Sequence, residues 1–599
     1  MDREKTLKSD QWDIEMLYPS LDDWEKDFIF WGGQKKEPHW PKFVPFRSRL
    51  HDGASAILEL LNYYFSVEHH LHKLYTYAHL RHDEDVGNEA HKQIFLRISA
   101  LLNDFQKESS WIGPEFLQLS DEKWEQLLNS VELEPFKFYL EKIIRQKPHM
   151  LNPEGETLIA SASLALDTLE RVFGAFNNGD LTFPQVEDSQ GKTHVLTHGT
   201  YSIYLRDPDR ELRKNSFKAL HLTYMNWENT LCELIQGEVL KHCFTMKARK
   251  FSSCLEAALF PHHIDTKLYT SLISTVRQNI KSLHRYMNLR KEVLQLEELH
   301  LYDVQLSLVP EAAMKIPFEE AAKLVIDSVA PLGSAYQSEL EKGLMKTRWV
   351  DRYENIRKRS GAYSSGCYGS IPYILMNYQD HFQDVMTLAH EAGHSMHSLL
   401  AWKAQPYHNA SYPIFVAEVA STFNEELLRL HLLKILDDPL KKAYLIYQKM
   451  ENIRNTLFRQ VMFAEFELEI HQRVERGIPL TPAFLKTFYH QLNVDYFGPS
   501  IICDSEISIE WARIPHFYYN FYVYQYATGL SASYALMDLV LKSSPEHYLN
   551  LLSSGGSLPP LKLLQQAGVD MYTLQPIEST IELFNLSMEE LKRSWIDFK

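Results

Sequence analysis

The sequence predicts a mainly α-helical protein with one small β element, and three observations carry that prediction. Apolar residues recur at helical spacing over most of the 599 residues. Strand-like patterns are confined to two short stretches, alternating β-formers in 181–207 and a short apolar run before Tyr378. No low-complexity segment and no fixed-period repeat interrupts the pattern.

Residues 1–50 are irregular and rich in Trp and Pro, with a short helical piece near Leu21–Phe28. From about Ala54 to Lys142 the pattern is helical. LLNYYFSVEHHLHKLYTYAHLRH and EAHKQIFLRISALLNDFQKESSW read as two long helices joined by the DEDVGN turn. Their histidines (His69, His70, His72, His79, His82) lack a carboxylate-completed ligand set and read as surface or packing residues. A helical segment, Glu154–Phe176, follows. Residues 181–207 alternate β-formers around a D-S-Q-G turn and read as a hairpin with a second strand beyond it. Helices resume from Pro208 to Leu299. Between Trp349 and Tyr378 a Gly-, Ser- and Tyr-rich loop leads into a strand, and Pro372 points to that strand's edge or start. An edge strand there is well placed to bind an extended peptide by strand addition, or is a simple connector. Residues 414–599 are helical again. The expected divisions are a helical region at 1–110, a helical segment ending in the hairpin at 111–200, and a larger domain at 201–599.

The totals exclude several classes. A net charge of −16 leaves no electrostatic footprint for nucleic acid or an anionic membrane. The hydrophobic share of 45% and charged share of 23% are those of an ordinary soluble protein. The five cysteines are odd in number and form no C-x-x-C pair, which argues against a disulfide framework and a cysteine zinc site. The first residues, MDREKTLKSDQWDIEML, lack the apolar stretch of a secretory signal, and no run approaches a membrane span. A reducing, cytoplasmic location is the expectation.

The chemistry centres on Asp380 to Leu400, DHFQDVMTLAHEAGHSMHSLL. Here His390, Glu391 and His394 form H-E-x-x-H on a helix that Asp380 would cap, with Gln383 completing a capping box. Residues four apart share a helix face, so both imidazoles can reach one Zn²⁺ while Glu391 prepares a water. Gly393 costs a helix interior about 1 kcal/mol relative to Ala, which makes sense where another backbone passes close; strand 370–378 is the expected neighbour. With 27 histidines in the chain, the motif alone does not establish a metal site.

A third ligand is needed. Glu418 and Glu425 lie seven residues apart in SYPIFVAEVASTFNEELLRLHLL, on nearly one helix face among apolar neighbours. Glu418 is assigned as the ligand and Glu425 as the carboxylate that holds an imidazole in its tautomer; ordinary surface glutamates would show the same spacing. The longer H-E-x-x-H-x-x-G-x-x-H pattern is not met, because His397 and Leu400 occupy its Gly and last His positions. His397 is expected to pack.

A further constellation is WARIPHFYYNFYVYQYATG, Trp511–Gly529, where Tyr518, Tyr522 and Tyr526 recur at i, i+4 and i+8 with Tyr519 beside them. Phenols and the His516 imidazole suit a developing oxyanion, although spacing alone slightly favours a tyrosine-rich core helix. No nucleophile elbow, phosphate loop or dinucleotide fingerprint is present.

Taken together the residues resemble the M3 zinc metallopeptidases, closest to their oligoendopeptidase F branch. The resemblance rests on WDIEMLYPSLDDWEKDF, LTHGTYSIYLRDPDRELRKNSFKAL, SSCLEAALFPHHI, KRSGAYSSGCYGSIPYILMNY, the HEAGH helix, FVAEVASTFNE and RIPHFYYNFYVYQYATG, in order along nearly the whole chain. It implies a two-lobed helical fold enclosing a deep channel, with the catalytic domain in 201–599, and cytoplasmic cleavage of short peptides. It matches His390, His394 and Glu418 to the ligands of one Zn²⁺, Glu391 to the catalytic base, and Glu425 to a carboxylate near the ligands. His516 matches the family's histidine preceding the tyrosine helix, and Tyr522 is the best match to its transition-state tyrosine. Tyr519, Tyr526, Gly361 and Gly369 are assigned to substrate binding. Gly529 stands where the related thimet branch has a further functional tyrosine. Two rivals are a zinc peptidase that needs a free C-terminus and a non-catalytic peptide binder; the intact Glu391 argues against the second.

Overall fold

A computed structural model describes residues 3–33, 37–310 and 315–596 of the chain. The two long helices are Ala54–Glu84 and Glu89–Ser109. Asn88 starts the second by accepting the amides of Ala90 and His91 with its side chain, satisfying donors that a helix leaves open. Leu60, Leu61, Val67, Leu71 and Leu74 of the first helix and Ile94, Ile98, Leu101 and Phe105 of the second are buried together with Trp12, Trp24, Trp40 and Trp124. The histidines here take packing and hydrogen-bonding roles. His70 stacks on Trp31 at 3.8 Å, and His79 and His82 both reach Asp83 at 3.1 Å.

Two compact units are each drawn from three separated stretches. The first comprises Met1–Met150, Ala313–Lys434 and Leu536–Gly568; the second comprises Leu151–Ala312, Ile435–Ala535 and Val569–Lys599. The segments 1–110, 111–200 and 201–599 are linear stretches, whereas these units interleave along the sequence.

In the first unit a three-stranded sheet precedes the motif helix. Its central strand is Tyr373–Tyr378, directly after Pro372. Val350–Tyr353 pairs with it in parallel and Tyr363–Ser365 antiparallel. The strand expected at an edge is therefore the middle one, because the loop before it contributes both neighbours. The edge strand next to the motif helix is Tyr363–Ser365, which is half-buried. Tyr373 and Leu375 join the buried cluster of the long helices. The buried Lys358 ammonium donates to the carbonyls of Asp351, Tyr353 and Met376 and pairs with Asp351 at 2.7 Å, tying two strands together.

The motif helix is Phe382–Ala404. Its start lies one residue later than expected. Asp380 is left-handed (φ 61°) in the turn that leaves the sheet, so His381 takes the cap position. The Asp384 carboxylate, rather than Gln383, then accepts the amides of Gln379 and His381 at 2.9 and 3.0 Å.

In the second unit the hairpin is shorter than its sequence suggests. Val186–Glu187 pairs antiparallel with Thr193–His194 around the Asp188–Gly191 turn. The second strand stops there because Thr197 accepts the Thr200 amide and starts the helix His198–Tyr204. A two-strand parallel pair joins Leu299–His300 to Ile501–Ile502. Helices make up most of the remainder. Among the described residues no helix is long and apolar enough to cross a membrane.

Candidate active site

The motif helix and the helix Ile414–Ile435 supply one cluster. His390 Nε2 and His394 Nε2 lie 3.2 Å apart, and Glu418 Oε2 is 3.4 Å from the first and 3.7 Å from the second. Among the described residues this is the group of three or more His, Cys, Asp or Glu side chains that could hold a metal ion. Tetrahedral ligands at bond lengths of 2.0–2.1 Å stand about 3.3–3.4 Å apart, so the three atoms fit one zinc-sized ion, and the two imidazoles and carboxylate suit zinc chemically.

The remaining ring nitrogens are fixed. His390 Nδ1 is 2.6 Å from Glu425 Oε1, and His394 bonds the backbone carbonyl of Ala417. Both rings thus direct Nε2 at the centre. The Ser421 hydroxyl donates to Glu418 Oε2 at 2.9 Å. The Ala417 and Ser421 contacts have no sequence signature. His397 is buried, and its ring stacks on Tyr412 at 3.5 Å and 7°, as expected of a packing residue.

Gly393 has a different neighbour from the one expected. A Cβ there would stand 2.5 Å from the Ala420 carbonyl oxygen and 2.8 Å from the Ser421 Cα. The close backbone is that of the Glu418 helix, not strand 370–378, so the glycine lets the two helices that carry the His390, His394 and Glu418 cluster touch.

Glu391 is buried beside the cluster, at 7% exposure. Burial raises its pKa, Glu418 and Glu425 add to the rise, and His390 and the Ser364 amide oppose it; the result is about 7. Ser364 also meets the motif helix through its hydroxyl, 2.8 Å from that of Ser395. The edge strand therefore lies against the Glu391 face. Gly361 and Gly369 bracket this strand in left-handed conformations (φ 86° and 82°), with open space where a side chain would stand. The Gly361 carbonyl accepts from Asn377 of the central strand at 2.8 Å.

The tyrosine segment of the second unit is not one helix. Pro515–Tyr518 forms a 3₁₀ turn, Asn520 and Phe521 are left-handed, and an α-helix begins only at Tyr524. The break changes which rings meet. Tyr518 is buried against Phe173 at 4.4 Å. The His516 ring lies 5.6, 6.4 and 5.9 Å from the rings of Tyr519, Tyr522 and Tyr526, and its Nε2 is 3.3 Å from the Tyr526 hydroxyl. Burial lowers the His516 pKa, favouring the neutral ring.

Two histidines and a glutamate converging with a buried carboxyl between the histidines, on a mainly helical scaffold, define the H-E-x-x-H metallopeptidase class. Comparison with known proteins narrows the class. Residues 203–583 match the model of peptidase family M3, residues 115–183 match that of Oligopeptidase F, and the chain belongs to family M3. It is 41% identical over 595 residues to Oligopeptidase PepF of Bacillus subtilis, covering 99% of this chain and 88% of that one. It is 36% identical to an oligoendopeptidase F homolog of Borreliella burgdorferi, covering 99% of each. A crystal structure of oligoendopeptidase-F from Enterococcus faecium covers 96% of this chain and 99% of its own, with 32% identity and a TM-score of 0.73. The chain is a metalloendopeptidase whose substrates are oligopeptides.

With His390, His394 and Glu418 as the ligand set, metal uptake would depend on pH. Burial opposes a charge on His390, but its hydrogen bond to Glu425 and the nearby carboxylates outweigh it and raise its pKa to about 9. Burial and the adjacent His390 lower that of His394. Without metal, the pair therefore holds its proton on His390, and metal must displace it. Apparent zinc affinity is expected to fall about tenfold per pH unit below pH 9, by competition with that one proton. In Glu425→Gln the fall should begin at lower pH. Zinc titrations against a competing chelator check both; a flat wild-type profile from pH 6 to 8 would refute the scheme.

Proposed function

We propose that the chain is a zinc endopeptidase that hydrolyses internal bonds of short peptides in the cytoplasm. One Zn²⁺ per chain would be held by His390, His394 and Glu418. The observation that carries this reading is the convergence of those three donor atoms within 3.2–3.7 Å. Zinc bound there would acidify a water and polarise a carbonyl. Glu391 then takes the proton of the attacking water and passes it to the leaving amine, a task suited to a pKa near neutrality. His516 and Tyr522 donate hydrogen bonds to the developing oxyanion. The substrate backbone adds to the free edge of Tyr363–Ser365, between Gly361 and Gly369, and Tyr519 and Tyr526 contact the peptide. Location in a reducing compartment is supported by five free cysteines, four of them buried.

A quenched peptide blocked at both ends tests the reading. Internal cleavage is expected, abolished by a chelator and restored by zinc. Cleavage only of peptides with a free C-terminus would instead make the enzyme a carboxypeptidase-type relative, and zinc-independent binding without cleavage would make it a binder.

A further inference from the structure

The break in the tyrosine segment has a specific cause. Asn520 and Phe521 are consecutive left-handed residues, with φ of 45° and 59°, and neither is glycine. Such residues cost about 1–2 kcal/mol each, so something must hold them. The helix Arg459–Glu475 does so. The side chains of Glu467 and His471, four apart, share one face of it. Glu467 is fully buried, and its Oε1 accepts the Phe521 amide at 2.6 Å. Its second oxygen is buried and accepts no hydrogen bond among the described residues, so the carboxyl's hydrogen bonding is directed at that amide. The His471 ring lies 4.4 Å from the Phe521 ring, and Tyr269 meets the same ring at 5.6 Å.

The grip decides the composition of the phenol cluster. A continuous helix would set Tyr518, Tyr522 and Tyr526 on one face. The turn instead sends Tyr518 against Phe173 and leaves Tyr519, Tyr522 and Tyr526 around His516. We infer that Glu467 is a positioning residue for the hydrolytic reaction, fixing the left-handed turn that gathers Tyr519, Tyr522 and Tyr526 around His516. This rests on the proposal that Tyr522 and His516 are the oxyanion donors. Glu467 touches no reacting atom and acts through the Phe521 backbone. Burial pushes its carboxyl up to about 8, so the neutral acid dominates at pH 7. A neutral amide of the same shape keeps the acceptor.

The test is steady-state kinetics on the zinc-loaded full chain. Glu467→Ala is expected to lower kcat on the order of 10²-fold, as misplacement of a catalytic group does, with KM within about threefold because ground-state binding is untouched. Glu467→Gln is expected to stay within about threefold of wild type, since its amide oxygen still accepts from Phe521. Asn520→Gly placed in the Glu467→Ala background is expected to recover part of kcat, because glycine enters the left-handed region without strain. Thermal melts report the folded fraction of each variant. A Glu467→Ala enzyme with wild-type kcat overturns the inference. So does one whose loss merely tracks unfolded protein, with unchanged activity per folded molecule. Full activity in both Tyr522→Phe and His516→Ala overturns the underlying oxyanion reading, and is distinguishable because those variants leave the Glu467 bond intact.

Discussion

Glu391→Gln is expected to retain one metal ion per chain while kcat falls on the order of 10²–10⁴-fold, the range of a lost general base. The substitution is nearly isosteric, and its amide oxygen can still accept from the Ser364 amide that meets Glu391. No donor atom of the proposed metal site changes, because its three donors are those of His390, His394 and Glu418. Removing a negative charge beside His390 also eases loss of that ring's proton, so metal binding should not weaken. What is lost is the ability to take a proton, since an amide has no basicity at neutral pH. Metal analysis of the purified variant and its kcat on an internally quenched peptide check the two halves together. A wild-type rate would refute the base assignment. Loss of metal would show instead that Glu391 supports the ligands.

The legible parts of this molecule were those written in short-range pattern. H-E-x-x-H and its helix needed only a four-residue spacing, and Glu418 and Glu425 only a seven-residue one on the next helix. Both are helical periods, and helices keep their register over such distances. The errors fall where distant chain decides. Strand Tyr373–Tyr378 looks like an edge locally, and only pairing with 350–353 and 363–365 makes it central. The tyrosines at 518, 522 and 526 carry a perfect helical period, yet a carboxyl 54 residues upstream holds the chain out of helix at Phe521. Asn520 is the one local hint, since Asn tolerates the left-handed region better than most residues; nothing in the pattern shows that Phe521 would follow it. The interleaving of the two units is a property of long-range contacts and leaves no mark on composition.

Gly393→Ala should damage both stability and the metal site, although it touches neither ligand nor substrate. In a free helix the change would stabilise by about 1 kcal/mol. Here the new methyl would meet backbone: the Ala420 carbonyl oxygen at 2.5 Å, the Ser421 Cα at 2.8 Å and the Ala420 carbonyl carbon at 2.9 Å. A flexible side chain could swing away from such a contact, but a helix backbone can yield only by moving the whole segment. Overpacking of this kind costs about 1–3 kcal/mol, which outweighs the helix-propensity gain. The segment that must move carries Glu418 two residues before Ala420, while His390 and His394 stay on the other helix. Separation of the helices therefore lengthens the carboxylate's distance to both imidazoles, now 3.4 and 3.7 Å. It also disturbs Ser421, whose hydroxyl orients Glu418. Zinc affinity should drop about 10–100-fold, the usual size of a lost supporting contact, and the melting temperature of the metal-free protein should fall as well. Gly393→Ser should be at least as severe, since it adds an oxygen to the same methyl position. If Gly393→Ala melted at or above wild type with unchanged zinc affinity, the close crossing of the two helices would not be what sets the geometry of the ligands.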